Sequence, residues 1–166
     1  SSSLQIDPKY LTWFQKLAKK INKDPNMILT GVLTEQQLFE YAKASDLMIM
    51  PYRLHMSASG PLTIAQSTAT PVFFSDKLQP IAKSIDFKSA LHNANLSTTD
   101  VFYHNSTDLQ KKLGSVLTNP THLKAHSRFI KTLGTLRTTT KQASEYRELF
   151  ATKNLSSNNE TILARI

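Results

Sequence analysis

The sequence predicts an α/β protein with a mostly parallel sheet of about four strands flanked by helices. Three observations support this fold class: short apolar runs of strand length, amphipathic stretches between them, and one complete strand–helix–strand pattern over residues 46–76. With 166 residues, of which 40% are hydrophobic, the chain is long enough to bury the core of one domain.

The central pattern begins and ends with a strand. Residues 47–50 form an apolar run that Pro51 ends, and a second run follows Pro71 at residues 72–75. Such runs are typical of parallel strands that are covered on both faces. The segment between the two runs is too short for anything but a right-handed crossover, so the two strands are predicted to be parallel neighbours.

A helix is predicted between these strands, over residues 61–69. Ser59 suits the N-cap position, Gly60 is flexible, and Pro61 is favoured in the first helical turn. In open parallel sheets, ligands bind beyond the carboxyl ends of the strands, where helix amino termini present N–H groups to anions. The loop at 52–60 is therefore the candidate site.

The amino-terminal segment predicts a helix over residues 8–23, opened by Asp7 and Pro8. Its apolar residues recur at helical spacing on one face. Lysines occupy much of the remaining surface, namely Lys9, Lys16, Lys19, Lys20 and Lys23. The main interpretation is a helix that faces the core and keeps a solvated lysine face. The alternative is a basic surface that rests on an anionic membrane, with Trp13 as an interfacial anchor.

A further strand and a second helix are predicted before the central pattern. Residues 27–30 resemble a buried strand that ends at Gly31, a residue that permits unusual backbone geometry or the close approach of a ligand. Thr34 and Gln37 have the spacing of a capping box. A helix is therefore predicted from there to about Ser45.

The carboxyl-terminal half has weaker patterns. The predicted elements are one or two short helices around 78–84 and 86–93, a strand at 101–103, a helix capped by residues 106–108 that runs to 117, and helices at 121–133 and 135–151. Residues 153–166 are predicted to form a loose tail. Neither an internal repeat nor an interdomain linker is visible.

Composition excludes several classes of function. The chain has no cysteine, which excludes disulfides, thiolate catalysis and zinc–sulfur sites. The formal net charge of +8 favours anionic partners, but the lysines are scattered without an aromatic-rich basic motif, so nucleic acid is not expected. No apolar run reaches the roughly 18 residues of a membrane span, and no signal peptide is visible. The expected location is the cytoplasm, with peripheral attachment to the inner face of the membrane as the alternative.

Four segments, taken in order, resemble one enzyme family. They are Thr30-Gly31-Val32-x-Thr34-Glu35-x-x-Leu38, Ala44-Ser45-Asp46-x-x-Ile49-x-Pro51, Ser59-Gly60-Pro61-Leu62-x-Ile64-Ala65 and Pro71-Val72. Their order and spacing resemble the carboxyl-terminal domain of GT-B retaining glycosyltransferases of the family 4 type. The resemblance is detailed over residues 26–76 and extends loosely to residues 145–150, which are similar to the family's closing helix.

The resemblance implies a Rossmann-like domain, here over residues 1–152 with the tail at 153–166. Such a domain binds a UDP- or GDP-linked sugar in a hexosyltransferase of carbohydrate biosynthesis, which transfers the sugar with retention. The family needs neither a metal nor another cofactor for this step. A separate amino-terminal domain binds the acceptor, so the chain is expected to be a fragment of a GT-B enzyme that is inactive alone.

The resemblance also implies roles for the candidate loop. Residues 52–57 would lie near the donor sugar, and the backbone at 59–62 would face the diphosphate. By its own chemistry, Arg53 would pair with phosphate through its planar guanidinium, and the alternative is a solvated loop arginine. His55 would contact a sugar hydroxyl or the diphosphate, and the alternative is an exposed loop histidine. The predicted donor-binding residues are Gly31, Tyr52, Arg53, His55, Ser57, Ser59, Gly60 and Leu62. The catalytic residues stay unassigned.

Departures from the family favour a second hypothesis, a noncatalytic, degenerate transferase-like binding or partner module. Many members carry two glutamates around this turn, and the matching positions are about Ser57 and Ala65 here. A small glycine of the family is Ala69. His122 and His126 form an i,i+4 pair on a predicted helix, but no H-E-x-x-H glutamate accompanies them, so a metal site is not expected.

Overall fold

The computed structural model describes residues 7–54, 59–138, 143, 144 and 147. It has a mixed α/β structure that is mostly helical, with a small three-stranded parallel sheet. The helices are α1 (Pro8–Ile21), α2 (Glu35–Ala44), α3 (Gly60–Thr68), α4 (Ile85–Ala94), α5 (Thr98–Val101), α6 (Ser106–Leu117) and α7 (Pro120–Leu136), and a 3₁₀ helix covers Asp76–Lys83. The strands are β1 (Met48–Met50), β2 (Val72–Ser75) and β3 (Phe102–Tyr103). This architecture is compatible with a Rossmann-like α/β fold.

The sheet has the order β1-β2-β3, and both pairs of strands are parallel. Met48 lies opposite Val72, and Phe74 lies opposite Phe102. The β1–α3–β2 unit therefore confirms the predicted pair of parallel strands joined through a helix. The predicted strand at 101–103 is confirmed in a shorter form, because Val101 ends α5.

The strand predicted at residues 27–30 is the one strand that the structure lacks. These four residues have no regular secondary structure, and the sheet of the described chain consists of β1, β2 and β3. Met27, Ile28 and Leu29 are 54%, 79% and 44% exposed. An apolar run becomes a strand only where a neighbouring strand completes its hydrogen-bond ladder, and the sequence pattern does not supply that neighbour.

The central strand β2 is buried on both faces. Phe74 belongs to the larger core cluster, where α4 contributes Phe87 and α7 contributes Phe129. The rings of Phe87 and Phe129 meet edge to face, with centroids 5.0 Å apart. Phe73 belongs to a smaller cluster that includes Val116 of α6. Apolar packing on both faces explains the unbroken apolar character of the strand sequence.

Side-chain caps define the starts of α2 and α6. The Gln37 N–H donates to Thr34 Oγ1 at 3.2 Å, and the Thr34 N–H donates to Gln37 Oε1 at 2.9 Å, which confirms the predicted capping box. The cap of α6 was predicted at residues 106–108, and this is wrong by one residue. Asn105 is the N-cap, and its Oδ1 accepts from the Asp108 N–H at 3.0 Å.

The chain divides into two compact units between Gln37 and Leu38. In the first unit, α1 begins at its predicted N-cap, Asp7, and buries none of its residues. Trp13 is 49% exposed. Both interpretations of the apolar face of α1 stay predictions.

The predicted carboxyl-terminal elements are described only in part. Helix α7 continues to Leu136, past the predicted end at residue 133. Most of the predicted helix at 135–151, and all of the predicted tail at 153–166, lie outside the described residues. Within the described part of the chain, no helix combines the length and the apolar character that crossing a membrane requires.

Candidate functional site

The carboxyl ends of the three strands meet at one edge of the sheet, because all three strands are parallel. Tyr52 follows β1, Asp76 follows β2, and His104 follows β3. Ser59 caps α3, the helix that crosses from β1 to β2. Open parallel sheets bind ligands at this edge, which we call the strand-tip edge.

Tyr52 connects the two ends of the candidate loop. Its hydroxyl lies 3.2 Å from Ser59 Oγ, and its backbone oxygen accepts from Ser75 Oγ at 2.7 Å. The Tyr52 side chain is half-buried and packs against the larger core cluster. Tyr52 is therefore a positioning residue that holds the loop against the end of β2.

The amino terminus of α3 begins at Ser59, whose oxygens accept from the first N–H groups of the helix. The Leu62 N–H donates to Ser59 Oγ at 3.3 Å, and the Thr63 N–H donates to Ser59 O at 3.1 Å. Pro61 has no N–H. Gly60 is exposed, and its amide has no hydrogen-bond partner among the described residues. An anion here would meet that amide and the positive end of the helix dipole, and the dipole stabilises such a charge by about 0.3–1 kcal/mol.

The other predicted donor-binding residues fall into three groups. Arg53 is exposed, and no described residue holds its guanidinium. His55 and Ser57 lie outside the described residues. Gly31 belongs to the first unit and has a φ of 69°, a left-handed conformation that favours glycine. The side chain of Leu62 is buried in the core, so only its backbone faces the loop.

Sequence reasoning missed the residues at the tips of β2 and β3. Asp76 lies beside Lys77, with Oδ2 and Nζ 3.6 Å apart. Burial raises the pKa of the Tyr103 hydroxyl, and the negative charge of Asp76 raises it further. Asp76 therefore adds a carboxylate to the strand-tip edge, where it could accept hydrogen bonds from sugar hydroxyls. The signal that could have found it is its position directly after a predicted parallel strand.

Ala69 ends α3 in the left-handed conformation, with a φ of 56°. This is the position at which the resemblance places a glycine. Its carbonyl oxygen accepts from Ser127 Oγ at 2.7 Å, which ties the turn to α7. A left-handed alanine costs roughly 1–2 kcal/mol relative to the right-handed conformation, so glycine would be more favourable than alanine at this position.

Within the described residues, no three histidine, aspartate or glutamate side chains lie close enough to hold a metal ion. Comparisons with protein-family models, with curated protein sequences and with solved structures gave no match to this chain.

Proposed function

We propose that this chain binds a nucleotide-diphosphate sugar at the strand-tip edge, as the donor-binding half of a retaining glycosyltransferase. The proposal rests on the resemblance over residues 26–76 and on one structural observation. That observation concerns the loop between β1 and α3, which lies directly beyond the parallel strands. A contact between the hydroxyls of Tyr52 and Ser59 joins the two ends of this loop. Such a loop, next to a helix amino terminus, suits a phosphorylated ligand.

The chemistry of sugar transfer fits the charges at this edge. When the bond between the sugar and the diphosphate breaks, its electron pair goes to the diphosphate, which gains negative charge. Arg53 and the Gly60 amide would stabilise that charge, and Asp76 would orient a sugar hydroxyl. The acceptor would be supplied by another domain, so donor binding, not turnover, is the property to measure on this chain.

A second candidate is a binding module that no longer uses the donor. The observation that favours it lies on α3 after Leu62. Helix α3 contains no aspartate or glutamate, and Ala65, at the position of a family glutamate, is fully buried, so this helix offers no carboxylate to the ribose hydroxyls. In that case the chain would keep the fold and the loop but would not bind a nucleotide sugar.

Thermal unfolding in the presence of nucleotides separates the two candidates. UDP, GDP, UDP-glucose and GDP-mannose are titrated while the melting temperature is followed. A ligand that binds only the folded chain stabilises it by about 2.7 kcal/mol at 100 times its Kd, so one nucleotide series is expected to raise the melting temperature. The absence of any shift across all four ligands would support the second candidate.

Two charge-matched variants assign the effect to the loop. Arg53→Gln is expected to weaken binding about tenfold, because it removes a charge-assisted contact to phosphate. Lys88→Gln changes the net charge equally on the exposed side of α4, and it is expected to leave binding unchanged. Equal losses in both variants would indicate attraction by net charge, not a site at the loop.

A further inference from the structure

Helix α1 carries large apolar side chains on one exposed face. None of its 14 residues is buried. The exposed apolar residues recur at intervals of three and four, so they share one side of the helix. We call them the α1 face: Tyr10, Leu11, Trp13, Phe14 and Leu17, which are between 37% and 53% exposed. Contiguous apolar surface of this kind indicates an interaction with a partner.

Three aromatic rings form the centre of the α1 face. The ring centroid of Tyr10 lies 5.7 Å from that of Trp13 and 6.5 Å from that of Phe14. Tyrosine and tryptophan combine an apolar ring with a polar edge, and both are enriched where hydrocarbon meets water at a membrane surface. The aromatic cluster therefore has the composition of an interfacial anchor.

The polar side of α1 is uniformly basic. The helix contains four lysines and no aspartate or glutamate, so it carries four positive charges and no negative one. The lysines are Lys9, Lys16, Lys19 and Lys20, and all four are exposed. A partner of α1 is therefore expected to be anionic.

Lysine and tryptophan lie together at the border between the two sides. Lys9 and Lys16 line a shallow surface depression with Trp13 and Thr12. An ammonium beside an indole suits the headgroup region of an anionic bilayer, where the lysine meets lipid phosphate and the ring enters the acyl boundary. Nucleic acid would satisfy the lysines but would leave the α1 face exposed to water. An anionic bilayer accounts for both sides of the helix.

The length of α1 determines how it would lie on a bilayer. Fourteen residues give a helix about 21 Å long, whereas the hydrocarbon core of a bilayer is roughly 30 Å thick. A short helix with an apolar side and a basic side lies in the plane of the interface.

We propose that α1 binds the surface of an anionic lipid bilayer and lies parallel to it. The α1 face would enter the boundary of the acyl chains, and the four lysines would contact lipid phosphates. Each lysine near such a surface strengthens binding about fivefold. This surface goes beyond the proposed donor site and does not depend on it.

The test uses Trp13, the one tryptophan of the sequence, as a fluorescent reporter on the α1 face. The full chain is titrated with vesicles made of equal parts of phosphatidylglycerol and phosphatidylcholine. A saturable blue shift of the Trp13 emission is expected, because the indole leaves water. Binding to pure phosphatidylcholine vesicles is expected to be at least about tenfold weaker, and free glycerol phosphate is expected to leave the emission unchanged.

Four results would overturn the proposal. They are an emission that no vesicle shifts, equal affinity for the two kinds of vesicle, a Trp13 emission already typical of a buried indole without lipid, and an emission that changes with protein concentration alone. The third result would mean that the folded chain covers the α1 face, and the fourth that a second copy covers it.

Two variants with matched controls assign the binding to α1. Lys16→Gln is expected to weaken vesicle binding about fivefold, whereas Lys131→Gln, exposed on α7, is expected to change it by less than about twofold. Leu17→Gln is expected to weaken it at least about tenfold, whereas Leu117→Gln, exposed at the end of α6, should have little effect.

Because α1 buries none of its residues, both α1 variants are expected to keep the fold. Unchanged affinity in Lys16→Gln or Leu17→Gln would contradict the assignment, and so would equal losses in a variant and its control. Vesicle binding reports on α1 and the nucleotide titration on the strand-tip edge, so failure of either proposal leaves the other standing.

Discussion

The hydroxyl of Tyr52 lies 3.2 Å from Ser59 Oγ, across the loop that separates β1 from α3. The same Ser59 oxygen accepts from the Leu62 N–H at 3.3 Å. One serine hydroxyl therefore fixes the return of the loop and the first turn of the helix. Any ligand that binds between these elements meets a loop whose two ends are already positioned.

Two variants separate these functions of Ser59. Ser59→Ala removes the helix cap and the bridge to Tyr52, and it is expected to lower the free energy of unfolding by about 1–2 kcal/mol. Tyr52→Phe removes the bridge alone, with an expected loss of about 0.5–1.5 kcal/mol. Urea unfolding measures both. A Tyr52→Phe variant that costs more than Ser59→Ala would show that the bridge is not the shared contact described here.

Two helical glycines are expected to respond to alanine in opposite directions. A Cβ at Gly134 of α7 would lie 2.9 Å from the Cβ of Gln66 on α3, whereas a Cβ at Gly114 of α6 would meet no atom of the described residues within 4 Å. Gly134→Ala should therefore destabilise the fold by about 1–3 kcal/mol through overpacking. Gly114→Ala should stabilise it by about 0.5–1 kcal/mol through helix propensity.

Calorimetric melting of both glycine variants checks this pair. Because the same substitution is made in both helices, opposite signs of the stability change would be attributed to the close contact between α3 and α7. A stabilising Gly134→Ala substitution would mean that these two helices are further apart than the contact to Gln66 requires.

Ala69→Gly is expected to stabilise the fold by about 1 kcal/mol, because the residue at this position has a φ of 56°. The control is Ala125→Gly in the interior of α7, where the right-handed conformation makes glycine unfavourable by about 1 kcal/mol. Chemical unfolding of the two variants should give changes of opposite sign. A destabilising Ala69→Gly variant would contradict the left-handed turn.

His126 is expected to make stability depend on pH. Its folded-state pKa of about 4 lies below the unfolded value of about 6.5, so the unfolded chain binds the proton more readily. The contribution of the neutral His126 ring to the free energy of unfolding is complete above about pH 6.5 and is lost as the pH falls towards 4. At about pH 5 the free energy of unfolding is expected to be lower by about 2 kcal/mol. His126→Phe should remove this dependence, and the exposed His92→Gln variant should retain it. Urea unfolding at several pH values measures the difference, and parallel curves for His126→Phe and the wild type would refute it.

The sequence predicted those parts of the fold that local signals determine. The β1–α3–β2 unit follows from two apolar runs, the Ser59 cap and three prolines, Pro51, Pro61 and Pro71, all of which act within a few residues. The prediction of a strand at 27–30 is wrong because a strand also needs a neighbouring strand, which no local sequence pattern supplies. The short helix α5 was missed for the opposite reason, since it is only four residues long and its capping box carries little periodicity.

The same distinction applies to the sites. The sequence placed Tyr52, Ser59 and Gly60 on one turn, and the structure brings Tyr52 and Ser59 together. The cavity lined by Asp100 and His126 is formed by the packing of segments that are distant in the chain, so no spacing rule could have predicted it. Asp76, which pairs with Lys77, could have been predicted from the sequence, because it directly follows a predicted parallel strand and ligands bind beyond the carboxyl ends of such strands.

The central claim is that a nucleotide-diphosphate sugar binds where α3 begins, and the Gly60 amide reports on that event directly. The chain has four glycines, so selective ¹⁵N-glycine labelling gives one resolvable amide signal each for Gly31, Gly60, Gly114 and Gly134. Titration with UDP-glucose and GDP-mannose is expected to shift the Gly60 signal saturably, while Gly114 and Gly134, in α6 and α7, stay in place. A Gly60 signal that does not move with either donor, or that moves no further than those of Gly114 and Gly134, would contradict the claim.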